Sequence, residues 1–297
     1  MNFNDLKIFE AVASTGSFTK AATAMFTVQS NVTARIKSLE EEFGVELFSR
    51  TSRKVELTAN GKIFTQYCKQ IVQLIAEAKS NLQNADNVGG ILHIGCIETT
   101  MALKVPKILN YFEEQYPAIE LEFKSEMRQA LINDVLNFDL DAAFVSAPVN
   151  VAGLEQIRIR DEQLNILTAA DGPKLEVLLA NNPVKTVTFG HGCIFRARLE
   201  SWLSSKGILN YKSTELNSIE GIVNFVESGH GISILPEEVI SKYYTGRKIV
   251  SHKLNKQLGM MTTVLVFRKE ISQSNALKVF IDTYRQHIDL ENKSVTG

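Results

Sequence analysis

Cysteine is scarce in this chain. The three present, Cys68, Cys96 and Cys193, are odd in number, widely spaced and free of any CxxC pair, so neither a disulfide framework nor a zinc site is indicated and reduced thiols in a cytosol are expected. Long apolar runs are missing too, since no stretch approaches the roughly 18 residues that a membrane span needs. The opening residues carry an acid at Asp5 within an amphipathic pattern; no export signal is expected and a secreted solute receptor is disfavoured. Neither sign of charge is in excess: 32 Lys and Arg against 33 Asp and Glu give a net charge of -1, which at first argues against a nucleic-acid partner. No internal repeat or low-complexity tract is visible. What remains is a globular composition, 44% hydrophobic and 22% charged over 297 residues, with room for about two domains with full cores.

The most informative stretch is SFTKAATAMFTVQSNVTARIKSLEEEF, residues 17–43. It reads as two short helices joined by a tight turn. Val32, Ile36, Leu39 and Phe43 recur at helical spacing and predict one buried stripe, which leaves Gln29, Ser30, Asn31, Thr33 and Lys37 facing solvent. Gln and Asn can pair with adenine edges, Ser and Thr with bases or phosphates, and Lys can neutralise phosphate, all from a helix thin enough for the major groove. Ala21 and Ala22, flanked by Phe18 and Met25, give the first helix a small inner face, and Gly16 with Ser17 should end one helix and cap the next. On these residues alone, any helical hairpin with a polar side explains the pattern equally well. The following VELFSRTSRKVELT adds a small hairpin, with Val55 and Leu57 alternating behind a tip of Thr51, Ser52, Arg53 and Lys54. A helix-turn-helix followed by a basic wing is a DNA-reading module. Residues 1–65 hold five Lys and three Arg against one Asp and six Glu; because Glu40, Glu41 and Glu42 sit at the far end of the second helix, the expected DNA edge is locally basic.

Residues 2–62 resemble the N-terminal domain of LysR-type transcriptional regulators, in LKIFEAVASTGSFTKAA, VQSNVTARIKSLEEEFGVELFSR and the closing LTANG. The resemblance implies that the second helix and the wing read double-stranded operator DNA. By position, Gln29, Ser30, Asn31 and Thr33 would face bases or nearby phosphates, while Arg35, Arg50, Arg53 and Lys54 would hold the backbone, beside the Lys37 already read as a phosphate contact. Two positions depart from the family pattern: Val28 stands where a capping serine is common, and Ala34 where arginine is common.

Thr58 can cap a long helix from Ala59 to about Asn84, roughly 38 Å at about 1.5 Å per residue. Along it Phe64, Cys68, Ile71, Ile75, Ala78 and Leu82 form an a/d seam, which either packs on its own chain or pairs two chains; its three heptads favour a dimer. After the linker NADNVGG, residues 84–90, strands and helices alternate. Strands are expected at 91–96, 119–124, 140–145, 164–168, 186–189, 213–216, 232–235 and 261–267, and helices near 101–115, 129–137, 195–205, 218–227 and 273–288. This predicts an α/β region with mostly parallel sheets. The LysR resemblance continues in GCIETTMALKVPKILNYFEEQYP, DLDAAFVS and NSIEGIVNFVESGHGISILP. It implies an α/β fold with a winged helix-turn-helix (1–58), a linker and dimerisation helix with its hinge (59–88), and a periplasmic-binding-protein-like effector domain (89–297). Its lobe I would be 89–160 with 268–297 and its lobe II 161–267, joined by crossing strands near 160–168 and 260–268. A small molecule between the lobes would alter assembly and DNA bending. The implied state is a cytoplasmic homodimer, or a tetramer of two dimers, with RNA polymerase as a further partner and no cofactor, metal or membrane.

Ligands of open α/β sheets sit beyond the carboxyl ends of strands, near helix N-termini. Three such places are Glu98, Thr99, Thr100 and Met101; Ser146 and Ala147; and Asn217 and Ser218. Each polar residue also reads as an ordinary helix cap, and Thr100 and Ser218 are the preferred contacts. Phe195 and Arg196 lie near another helix start, where Arg196 would either clamp an anionic effector or pair with Glu200 at i+4. An enzyme reading enlists His191 and Cys193, but partners in a nucleophilic triad come from distant segments, and H-G-C is too close. A redox role for Cys193, its thiol acidified by a helix N-terminus, lacks a close second cysteine. GHG at 229–231 reads as a tight turn.

Overall fold

The structure, a computed structural model, describes residues 1–50, 54–83, 88–269 and 273–286, and the chain divides near Asn87 and Val88 into two compact units. The first opens with α1 (Phe3–Thr15), started by a capping box in which Asn2 accepts from the Asp5 N–H and Asp5 accepts in return. Gly16, at φ 60°, ends it in the left-handed conformation that glycine adopts without strain. Ser17 then caps α2 (Phe18–Ala24), and α3 (Gln29–Phe43) follows. Val28 at the start of α3 makes no side-chain cap bond. The hairpin pairs β1 (Phe48–Arg50) with β2 (Val55–Leu57), antiparallel, Phe48 opposite Leu57. Its tip, including Arg53, and the side chain of Arg50 lie outside the described residues.

Helix α4 (Ala59–Gln83) begins as expected, with Thr58 Oγ1 accepting from the Gly61 N–H at 2.9 Å. Its seam requires correction. Phe64, Cys68 and Ile71 pack into the core made by Phe9, Phe18, Ile36 and Phe48. Rings meet there at 4.8 Å (Phe9 and Phe64) and 5.1 Å (Phe9 and Phe48). Half the expected seam thus belongs to its own chain; of the rest Ala78 and Leu82 are exposed, and a second stripe, Ile63, Tyr67 and Leu74, is open as well. Phe43, expected in the buried stripe of α3, is 45% exposed, its ring set edge-on to Phe64 with centroids 5.0 Å apart. Residues 84–87 of the linker lie outside the described residues.

In the second unit β3 (Gly90–Cys96) is followed by α5 (Glu98–Leu103) and α6 (Val105–Gln115). One helix was expected there. It breaks at Lys104 because Pro106, in the first turn of α6, has no N–H to continue the ladder of α5. Then come β4 (Ile119–Ser125), α7 (Arg128–Leu136), β5 (Ala142–Ser146) and the 16-residue β6 (Leu154–Ala169). Next are α8 (Leu175–Leu179), β7 (Val184–Thr188), α9 (Ile194–Ser205), β8 (Tyr211–Glu215) and α10 (Ile219–Glu227). The unit closes with β9 (Ser233–Pro236), α11 (Glu237–Tyr243), β10 (Ile249–Lys253), α12 (Lys256–Gly259), β11 (Met260–Arg268) and α13 (Asn275–Gln286).

Strands β6 and β11 run antiparallel from Leu154 opposite Arg268 to Gln163 opposite Met260 and tie two lobes together. In one lobe β11 pairs β5 antiparallel, and β5, β3 and β4 continue in parallel around Phe112, Phe144, Phe267 and Phe280. In the other, the far half of β6 pairs β9 and β10, both antiparallel, while β7 and β8 pair in parallel beside the core of Leu199, Trp202, Val223 and Leu235. The expectation of mostly parallel sheets therefore fails among the described strands, because both crossing strands run against their neighbours. The first half of β6 and all of β10 were not anticipated. β10 exposes three of its five residues, so no apolar alternation announces it.

Candidate functional site

The helix-turn-helix presents less of α3 than its periodicity suggested. Gln29, Ser30 and Lys37 are exposed, but Asn31 and Thr33 are half-buried. Asn31 Nδ2 donates to Thr27 Oγ1 at 2.9 Å, and Thr33 Oγ1 to the Gln29 carbonyl at 3.0 Å. Arg35 NH1 donates to Asp5 Oδ1 at 3.1 Å, so this guanidinium braces α3 against α1. On the wing, Lys54 pairs with Glu56 at 2.5 Å, an exposed ion pair that raises the lysine's pKa and lowers the glutamate's. Glu40, read from sequence only as one of three acids far from DNA, anchors the wing: its Oε1 accepts from the Leu47 and Phe48 N–H groups at 2.9 and 3.1 Å.

Between the two lobes of the second unit lies a cavity of about 220 Å³. One lobe contributes Ile97, Glu98, Glu126, Met127 and Arg128; the other contributes Phe189, Cys193, Phe195 and Asn217. A neighbouring hollow of about 340 Å³ shares Arg128 and Cys193 and reaches Pro148, Arg196 and Glu200. Of the expected contacts, Asn217, Phe195 and Arg196 line this space. Thr99, Thr100 and Ser146 do not; they are buried, with hydroxyls that find no hydrogen-bond partner among the described residues. Ser218 accepts from the Gly221 N–H at 3.1 Å, which is the plain capping role. Met127 and Arg128 escaped the sequence reading, although they follow the carboxyl end of β4, a place of the same kind as the other three. Arg128 is held by the Ser146 and Pro148 carbonyls.

Of the two roles open to Arg196, the structure shows the ion pair with Glu200. Its Nε donates to Glu200 Oε1 at 2.9 Å and its NH1 bonds Glu215, so two carboxylates already fill the fork and raise its pKa. Glu98 spans the lobes instead: its Oε1 accepts from the Ile219 N–H, at the start of α10, at 3.0 Å. Burial raises its pKa and that hydrogen bond opposes the rise. Cys193 is not acidified either. Burial outweighs the two backbone N–H groups of α9 that face it, and its pKa is raised. His191 is exposed and lies 3.5 Å from Glu215. Two further contacts join the lobes: Lys104 pairs with Glu238 at 3.1 Å and Tyr243 donates to the Ala102 carbonyl at 2.8 Å.

A winged helix-turn-helix followed by a two-lobed α/β unit defines a class, regulators that join a DNA-binding domain to an effector-binding one, and comparison with known proteins identifies the family. Residues 3–62 match the bacterial regulatory helix-turn-helix protein, lysR family, and residues 85–289 match the LysR substrate binding domain. The transcriptional regulator YusT of Bacillus subtilis is 36% identical over 284 residues, covering 96% of this chain and 95% of that protein. CzcR of Bacillus anthracis is 34% identical over 287 residues, covering 97% and 98%. GltR of Bacillus subtilis is 32% identical over 291 residues, covering 98% of each. Among solved structures, a cysteine variant of full-length OxyR from Pseudomonas aeruginosa superposes with a TM-score of 0.73 at 22% identity, covering 96% of this chain and 95% of that one. Full-length CbnR complexed with its target DNA gives 0.68 at 22%, covering 96% and 99%. The chain belongs to the LysR family of transcriptional regulators, which join a helix-turn-helix DNA-binding domain to an effector-binding domain and are not enzymes. Among the described residues no helix is long and apolar enough to cross a membrane.

Proposed function

We propose that this regulator binds double-stranded operator DNA through the start of α3 and the wing, and that a small molecule in the cavity between the lobes alters that binding. The observation that carries the reading is the exposure of Gln29 and Ser30 in the first turn of α3, on a helix otherwise fixed by Val32, Ile36 and Leu39. Gln29 and Ser30 would meet base edges. Asn31 and Thr33, bonded locally, would orient that turn, while Lys37, Arg50, Arg53 and Lys54 would neutralise phosphates. Arg35, tied to Asp5, would add only its remaining N–H groups.

The exposed Ile63, Tyr67 and Leu74 stripe of α4 supports a homodimer paired along that helix, which sets two reading helices on half-sites about 34 Å apart. A regulator of this kind works where the chromosome is, in the cytoplasm, and meets RNA polymerase at the promoter. Gel shifts on DNA upstream of its own gene test the reading. Gln29→Ala should relax preference at one base pair by about 1–3 kcal/mol, whereas Lys54→Ala should weaken all sequences alike and lower the salt slope by about 1. Equal losses on all sequences for both variants would contradict these roles.

A further inference from the structure

The polar groups in the cavity wall bear on what the effector is, given the reading that one binds there. The space is small: about 220 Å³ holds roughly seven waters at about 30 Å³ each, or a ligand of some similar number of heavy atoms. Its sides are apolar, with Ile97, Met127, Phe189 and Phe195 facing it from both lobes. Set into these sides are two carboxylates, Glu98 and Glu126, and one guanidinium, Arg128. Glu98 uses one oxygen on the Ile219 N–H; among the described residues its other oxygen has no hydrogen-bond partner and it has no cationic partner. Glu126 has no ion pair among the described residues, though its charge acts on Lys124 two residues before it, so Glu98 is the less compensated of the two. Arg128 spends Nε and NH2 on two backbone carbonyls, which leave its charge uncompensated. Arg196, the other guanidinium of the adjoining hollow, is neutralised by Glu200 and Glu215.

A simple carboxylate entering this space meets two like charges and one opposite one. In addition, the start of α10, where an anion would otherwise gain most, is already taken by the protein's own Glu98. An ammonium group finds the reverse: a half-buried carboxylate with one oxygen free, beside apolar surface for a short side chain. We propose that the cavity recognises a small apolar compound through its ammonium group, which bonds Glu98. If the compound is an α-amino acid, its carboxylate pairs with Arg128. Because Glu98 also bonds Ile219 of the opposite lobe, such a ligand acts at a point where the two lobes touch.

Calorimetric titration of the full-length protein with isoamylamine, leucine and isocaproate tests this, since the three share an apolar body and differ in charge. Isoamylamine and leucine should bind and isocaproate should not. Tighter binding of leucine than of isoamylamine would mark an amino acid, through Arg128, and the reverse order a simple amine. Glu98→Gln keeps an oxygen to accept from Ile219 but loses the charge, and should weaken the amine-bearing probes by about tenfold or more, roughly 1.4 kcal/mol. The proposal is overturned if isocaproate binds more tightly than isoamylamine, if Glu98→Gln leaves amine affinity unchanged, or if neither amine-bearing probe binds at about 10 mM. Should isocaproate bind and shift operator affinity in gel retardation, the effector reading stands and only the ammonium assignment falls. Should the amine-bearing probes bind without any shift, the assignment stands and the effector reading falls.

Discussion

Replacing Glu40 with alanine should loosen the wing without disturbing the rest of the chain. In the native structure one carboxylate oxygen holds the Leu47 and Phe48 N–H groups at 2.9 and 3.1 Å. Both residues are almost fully buried, at 1% and 3% exposure, so water cannot easily replace the lost acceptor. A buried backbone N–H left without a partner costs about 1–3 kcal/mol. Glu40 is itself half-exposed, which argues for the lower part of that range, and two such groups give about 2–4 kcal/mol. For a unit of this size that lowers its melting temperature by about 10–20 °C. Hydrogen exchange on the full-length protein reads the effect directly, as faster exchange at Leu47, Phe48 and the paired strand Val55–Leu57. The lone tryptophan, Trp202, sits in the other unit, and its fluorescence should not change. Glu40→Gln keeps an acceptor oxygen and should recover most of the protection. The reasoning is refuted if Glu40→Ala exchanges at the wild-type rate at these amides, or if the glutamine variant is as damaged as the alanine one.

Three further outcomes follow from local geometry. Phe26 is 98% exposed and holds φ at 51°, so Phe26→Asn should stabilise the first unit by about 1 kcal/mol in urea titration, since asparagine tolerates the left-handed region and no packing is lost. A Cβ at Gly61 would stand 2.0 Å from the Leu47 carbonyl oxygen; Gly61→Ala should therefore force α4 away from the wing and cost about 3 kcal/mol or more, seen as a lower melting temperature of that unit. The pKa of His93 is raised above 6.5, chiefly by its hydrogen bond with Asp141 against the opposing effect of burial, with further help from the charges of Asp141 and Glu122. Its stabilising contribution is therefore complete below the unfolded value and is lost as pH rises through the folded one. Wild type should exceed His93→Gln in urea midpoint at about pH 5.5 and lose that advantage by about pH 9.

Much of the first unit was readable from residue order alone. Gly16 and Ser17 mark a helix end and a helix start, Thr58 announces α4, and the stripe of Val32, Ile36 and Leu39 fixes which side of α3 is buried. These are signals between residues at most four apart, set by helical spacing and by backbone groups that need a cap. The strands of the second unit were legible where their residues run apolar, again a local signal; the first half of β6, where charged residues interleave the apolar ones, and β10, an exposed edge, were not.

Only the tertiary structure decided which of two apolar stripes α4 keeps for its own core, because Phe64, Cys68 and Ile71 are claimed by Phe9 and Phe48, distant in sequence. The same holds for Arg196, whose second carboxylate is Glu215, for Glu40, whose partners lie beyond a turn, and for Glu98, which meets Ile219 from the other lobe. A polar side chain's role is set by whichever opposite charge or unpaired backbone group folding brings within about 3 Å. Residue order sets helical spacing and caps through neighbours a turn away; partners this far apart along the chain leave no periodic trace in it.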